Sequence, residues 1–179
     1  MKSAAILLQD GTVIPALSIG SESLTVGEIV FNTSMTGYQE IITDPSYKDQ
    51  IITFTHPHIG NTGTNMDDYE SNLHGCSGVI IRNNPTTNSS WRRDSSFIDF
   101  LKDKSVAALC SLDTRYLTSL IRQKGAINGC IVPNIKDLEK AKSLLSDFPG
   151  LNNSDLAIKV TTKKKYSWTE GTHELININ

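Results

Sequence analysis

The apolar residues of this chain fall in short runs, each closed by a turn signal. They are Ala4 to Leu8 before Asp10-Gly11, then Gly27 to Asn32, Gln50 to Thr55, Val79 to Ile81, Val106 to Cys110 and Ala126 to Val132. Runs this short, rich in β-branched residues and bounded by Gly, Pro, Asn or Asp, predict strands. None approaches the ~20 apolar residues that a membrane-spanning helix needs. Another run, Thr12 to Ile19, is broken by Pro15, which places it at a sheet edge or a bend. Helical spacing enters later in the chain. Ser96 to Lys102 offers an apolar face, Asp113 caps a helix that ends at Gly125, and Leu138, Ala141, Leu144 and Leu145 mark a last helix before Pro149-Gly150. Thr36 and Gln39 have capping-box spacing, so a short helix is expected there, stopped before Pro45. From His56 to Ser77 the chain lacks periodicity, and loops that long in a compact domain are often functional. The tail from Leu151 is also read as aperiodic. The first part is therefore β-rich, and the pattern turns α/β from Gly78 onward.

With 179 residues, 38% hydrophobic and 20% charged, the chain has the composition of a soluble domain with a real core. A net charge of -2 gives no global attraction to nucleic acid or acidic membranes. Lys163-Lys164-Lys165 is read as a solvated surface run. The N-terminal apolar run is short and meets Asp10-Gly11 at once, which fits a first strand rather than a signal peptide. The protein is expected to stay where it is made, in the cytoplasm or a plastid.

Cys76, Cys110 and Cys130 cannot all pair, and their spacing fits no zinc pattern. Buried free thiols in a reducing compartment are expected. A cysteine amide hydrolase needs an exposed elbow of the form Gly-x-Cys-x-Gly and a matched base. Cys76 lies in Gly75-Cys76-Ser77-Gly78, with Gly75 one residue too close. Cys130 lies within a strand pattern and Cys110 within an apolar run. His56 and His58 flank Pro57, but no third metal ligand follows at a typical spacing; His74 and His173 have no assigned role. No phosphate-binding loop is present, so ATP binding by this chain is not supported. No catalytic or metal-binding residue is expected. Asp113 reads as a helix cap, and Arg115 stays open between a surface residue and a partner contact.

Six ordered segments carry a resemblance. They are Gly27 to Glu40 (GEIVFNTSMTGYQE); Thr43-Asp44-Pro45-Ser46-Tyr47; Pro57-His58-Ile59-Gly60-Asn61 with Gly63 and Asn65; Leu112-Asp113-Thr114-Arg115 with Leu117-Thr118; Lys124-Gly125-Ala126 with Gly129; and Tyr166-Ser167-Trp168-Thr169. In order and spacing they resemble the small subunit of glutamine-dependent carbamoyl phosphate synthetase, from Met1 to about Gly171. The resemblance implies an α/β fold, a β/β/α swivelling-type domain with mixed sheet regions and a few short helices. It places the small subunit's N-terminal domain at residues 1–150, and at 151–179 a linker towards a glutamine amidotransferase domain absent from this chain. It also implies partners: the large subunit, the amidotransferase domain of the same subunit, and glutamine, to which Ser46 contributes a contact. Nucleic acid and membrane are not expected as partners. By the same resemblance, ATP and a divalent cation are expected to be used by the large subunit, with no cofactor in this chain. The complete enzyme that the resemblance implies is a ligase, a heterodimer that makes carbamoyl phosphate from glutamine, bicarbonate and ATP for arginine and pyrimidine biosynthesis. The alternative is a stand-alone, non-catalytic protein-binding module; a Gly-x-Cys-x-Gly elbow encoded downstream distinguishes the two.

Overall fold

Strands that bury both faces need a core on each side, and this chain supplies both by closing its sheet. The computed structural model describes residues 2–71 and 75–169. Its strands are β1 (Lys2–Leu8), β2 (Val13–Ser18), β3 (Thr25–Asn32), β4 (Gln50–Phe54), β5 (Gly78–Ile80), β6 (Ala107–Cys110) and β7 (Ile127–Val132). They form a closed barrel in the order β1-β2-β6-β5-β4-β3-β7. The pairs β3/β4, β4/β5 and β5/β6 are parallel and the remaining pairs antiparallel. The helices are α1 (Tyr38–Thr43), α2 (Phe97–Asp103), α3 (Thr114–Lys124), α4 (Leu138–Ser146) and α5 (Leu156–Val160), with 3-10 turns at Pro45–Tyr47 and Ile135–Asp137. The expected α/β domain, with a mixed sheet and a few short helices, is thus observed.

Alternation along the strands assigns each residue to a layer. Ala4, Ile6, Leu8, Ala16, Ile29, Ile51, Ile80, Ala107, Leu109, Ile127 and Ile131 form one buried cluster drawn from all seven strands, which is the barrel interior. Leu117 and Ile121 of α3 join it, so α3 plugs the barrel. Residues of opposite parity face outward. Ile52, Phe54, Val79, Ala108 and Cys110 pack under Tyr38 and Ile42 of α1 and Phe97, Phe100 and Leu101 of α2. Leu7, Cys130 and Val132 pack under Ala141 and Leu145 of α4. At the end of α3, Lys124 pairs with Asp10 of the β1–β2 turn, and this hydrogen bond holds the Asp10 carboxyl well below the usual range.

Several sequence expectations carry through. Asp113 caps α3 by accepting the Tyr116 N–H at 3.1 Å, and Arg115 is exposed. Pro15 lies on β2 opposite Ala5, beyond Leu17 and Ser18, the residues of β2 that pair with β6. It therefore occupies an edge position inside an otherwise closed sheet. Residues 55–71 and 75–77 are irregular, apart from a single bridge between Thr64 and Ser95.

Two expectations are corrected. Thr36 and Gln39 form no capping box. The residue before α1 is Gly37, at φ 73°, and it makes no side-chain cap. The Gln39 amide is taken up instead by the loop at Asn65, a longer-range pairing invisible to local spacing. The tail is not wholly aperiodic, because Asp155 caps the five-residue helix α5 through the Ile158 N–H at 3.1 Å. His74, His173 and residues 170–179 of the expected linker lie outside the described residues.

Glycines 11 and 60 have nearly the same backbone angle, φ 86° and 87°, in very different surroundings. A Cβ at Gly11 would meet nothing within 4 Å, whereas one at Gly60 would lie 2.5 Å from the Phe97 ring. Gly11→Ala should cost about 1 kcal/mol of stability from the left-handed backbone alone. Gly60→Ala should cost about 2–4 kcal/mol, because overpacking adds to the same strain. Urea midpoints of the two variants measure the difference; equal shifts would contradict this packing.

Candidate functional site

The segment Thr43-Asp44-Pro45-Ser46-Tyr47 occupies the junction between α1 and β4. Asp44, which precedes a proline, is extended at φ -72°, ψ 120°, and α1 stops there. Pro45 then opens the 3-10 turn, its ring already holding the φ that a helical first position requires. The Asp44 carboxylate accepts the Ser46 N–H at 2.8 Å. The backbone completes the turn, with Tyr47 N–H on the Asp44 carbonyl and Lys48 N–H on the Pro45 carbonyl, each at 3.1 Å.

The turn is also buttressed from behind. Thr43 is buried, and its hydroxyl donates to the Gln39 carbonyl at 2.9 Å while accepting the Glu70 N–H at 3.0 Å. The Cys76 N–H reaches the Ile42 carbonyl at 3.1 Å. Ser46 itself is exposed, and among the described residues its hydroxyl makes no hydrogen bond. The local turn is thus satisfied by Asp44 and the backbone, leaving the hydroxyl available to a ligand.

Beside this turn, a polar network ties the long loop to α1. The Gln39 side chain is buried and acts as a second backbone, its Nε2 donating to the Asn65 carbonyl at 2.6 Å and its Oε1 accepting the Asn65 N–H at 3.0 Å. The Tyr38 hydroxyl donates to the Gly63 carbonyl and shares a hydrogen bond with Thr62. Burial pushes the Tyr38 phenol and the Glu40 carboxyl above their ordinary values. Arg92 bridges Asp67 and Asp68 at 3.4 and 3.1 Å. Tyr38, Gln39, Glu40, Asn65, Asp68 and Arg92 line a cavity of about 320 Å³. A wider cleft of about 1000 Å³ runs between Lys48, Tyr69 and Lys104 on one side and Lys159, Tyr166 and Trp168 on the other. Lys163-Lys164-Lys165 is exposed, as expected, and its first two lysines line this cleft.

None of the thiols is placed for nucleophilic attack. All three cysteines are buried thiols. Burial pushes the Cys76 thiol up to about 12 and the Cys130 thiol up to about 11, and raises Cys110 as well. His56 is spent on a local turn, its Nδ1 accepting the His58 N–H at 3.3 Å. Among the described residues, no group of His, Cys, Asp and Glu could hold a metal ion, and no helix is long and apolar enough to cross a membrane.

The family model of the carbamoyl-phosphate synthase small chain, CPSase domain, matches residues 6–131. The chain belongs to that family. It is 50% identical to the carbamoyl phosphate synthase small chain of Vibrio vulnificus (strain YJ016) over 176 residues, which are 97% of this chain and 46% of that protein. The small chains of Yersinia pestis and Thioalkalivibrio sulfidiphilus are also 50% identical, over 98% and 96% of this chain and 45% of each relative. The chain thus spans about half the length of the curated relatives it matches, in keeping with the family's CPSase domain.

A thiol whose pKa is about 12 is roughly one part in ten thousand thiolate at pH 8. The native domain should therefore react negligibly with a thiol-specific reagent at pH 8, and all three cysteines should react once it is unfolded in urea. The isolated chain should also release no glutamate from glutamine. Glutamate release that stops when Cys76 is alkylated would contradict this account.

Proposed function

We propose that this chain is the non-catalytic N-terminal domain of the small subunit of a glutamine-dependent carbamoyl phosphate synthetase. In this reading, residues 1–150 form the domain and 151–179 lead towards a glutamine amidotransferase domain. The complete enzyme is a ligase that makes carbamoyl phosphate from glutamine, bicarbonate and ATP for arginine and pyrimidine biosynthesis. It works in the cytoplasm as a heterodimer with a large subunit, which uses ATP and a divalent cation. This domain packs on the large subunit and on the amidotransferase domain, and presents Ser46 to glutamine.

The observation that carries the Ser46 reading is the division of hydrogen bonds in its turn. Asp44 and the backbone satisfy the turn, and the Ser46 hydroxyl remains exposed and without a partner among the described residues. A serine needed only for its own turn would spend its hydroxyl locally. The buried thiols supply no nucleophile, so the domain's share is to bind and position, while amide hydrolysis belongs to the other domain.

In the complete small subunit paired with a large subunit, Ser46→Ala should weaken apparent glutamine affinity by about 0.5–1.5 kcal/mol, the size of one neutral hydrogen bond. Synthesis driven by ammonia bypasses glutamine and should be nearly unchanged. Steady-state rates with each nitrogen donor measure this; an equal loss with both would assign Ser46 to the fold or the subunit interface.

A further inference from the structure

A three-residue turn is only as fixed as its two ends. At its start, Pro45 and the Asp44 carboxylate set the backbone that enters Ser46. At its end the anchor is the Tyr47 side chain. Its ring packs against the outer core cluster containing Ile42, Ile52 and Phe54. Its hydroxyl accepts a hydrogen bond from Asn32 Nδ2 at 3.1 Å.

Asn32 is the last residue of β3, in parallel register with Phe54 of β4. Its amide orientation is determined by chemistry. Oδ1 accepts the Ser34 N–H at 2.8 Å, and a backbone N–H can only donate, so Nδ2 is the end that faces Tyr47. The Asn32–Tyr47 bond thus joins the residue that leaves β3 to the turn that enters β4, bridging the whole crossover through α1.

In a 3-10 turn, with about 3.0 residues per turn, successive side chains point roughly a third of a revolution apart. Tyr47, held inward on the core, therefore directs Ser46 outward. This agrees with a half-buried Tyr47 beside an exposed Ser46.

We propose that Tyr47 and Asn32 are positioning residues that aim the Ser46 hydroxyl at glutamine; this rests on the reading of Ser46 given above. The Tyr47 hydroxyl contacts no ligand in this assignment. Its hydrogen bond stops the turn from rolling about its own axis, so that Ser46 meets the amino acid in one direction rather than several. Removing the hydroxyl leaves the ring packed and the fold intact, but spreads the orientation of Ser46. The effect falls on the KM for glutamine, and not on kcat or on ammonia use.

The test uses the complete small subunit assembled with its large subunit, as wild type, Ser46→Ala, Tyr47→Phe and the double variant. Tyr47→Phe should raise the glutamine KM about two- to fivefold and by no more than Ser46→Ala does, because a positioning residue can cost at most the contact it positions. Glutamine kcat and all ammonia-dependent parameters should stay unchanged. In the Ser46→Ala background, Tyr47→Phe should add nothing further. Asn32→Asp, in which the tyrosine donates to a carboxylate instead, should stay close to the wild-type KM. If Ser46→Ala raises the KM but Tyr47→Phe acts by the same factor in both backgrounds, or lowers ammonia-dependent synthesis equally, the positioning role is overturned and Ser46 keeps its role. If Ser46→Ala itself leaves the glutamine KM unchanged, the underlying reading of Ser46 fails.

Discussion

Closure of the barrel through the β1–β7 pair is the constraint on which the rest of this domain depends. Ala5 pairs with Val132 and Leu8 with Gly129, so the beginning of the chain is bonded to a strand formed more than a hundred residues later. Once the ring is closed, every strand has an inside and an outside. The inside is filled by aliphatic side chains and plugged by α3, and the outside takes α1 and α2 over one arc and α4 over another. An open sheet of the same strands would leave two unpaired edges and a half-covered apolar face. Closure also fixes the parallel register of β3 with β4, and hence where the crossover between them can place its turn.

That crossover is where structure passes into function. Short as it is, α1 is held from three directions: the Gln39 amide on the Asn65 backbone, the Thr43 hydroxyl on the Glu70 N–H, and the Cys76 N–H on the Ile42 carbonyl. The long loop therefore acts as a brace for the turn that follows α1. The acidic and basic groups around it, Asp67, Asp68 and Arg92, are committed to one another at the surface, where ion pairs contribute little stability but do orient a loop. The thiols are buried and raised, and His56 is engaged with its neighbour. The turn after α1 presents the Ser46 hydroxyl outward.

Much of this was legible in the sequence because the deciding signals are local. Six of the strands follow from short apolar runs, and β2 from its run around Pro15. The Asp113 cap, the stop of α1 before Pro45 and the Gly125 end of α3 follow from single residues with defined backbone preferences. One misreading, the capping box, occurred where a distant partner competed with a local one; the other, α5, carries a local cap at Asp155 on a helix of only five residues. Gln39 has capping-box spacing from Thr36, yet its buried amide pairs both its ends with the Asn65 backbone instead. Barrel closure left no local trace, because nothing in the runs around Leu7 and Cys130 states that they are neighbours. The Asn32–Tyr47 bond was likewise hidden, since an Asn at a strand end and a Tyr after a Pro-Ser turn are each unremarkable alone. The assignment of Ser46 came from the resemblance of its segment to a family, and the structure adds the free, outward hydroxyl.

The central claim is that the domain presents a pre-set Ser46 hydroxyl to glutamine without doing chemistry itself. The most direct measurement is a crystal structure of the complete small subunit with a non-hydrolysable glutamine analogue bound, compared with the ligand-free subunit. The account predicts the Ser46 hydroxyl within about 2.5–3.2 Å of a polar atom of the analogue, the range of a real hydrogen bond. It also predicts that the backbone of residues 44–48 is the same in both states. A Ser46 hydroxyl turned away from the analogue, or a turn that forms only when the analogue binds, would contradict it.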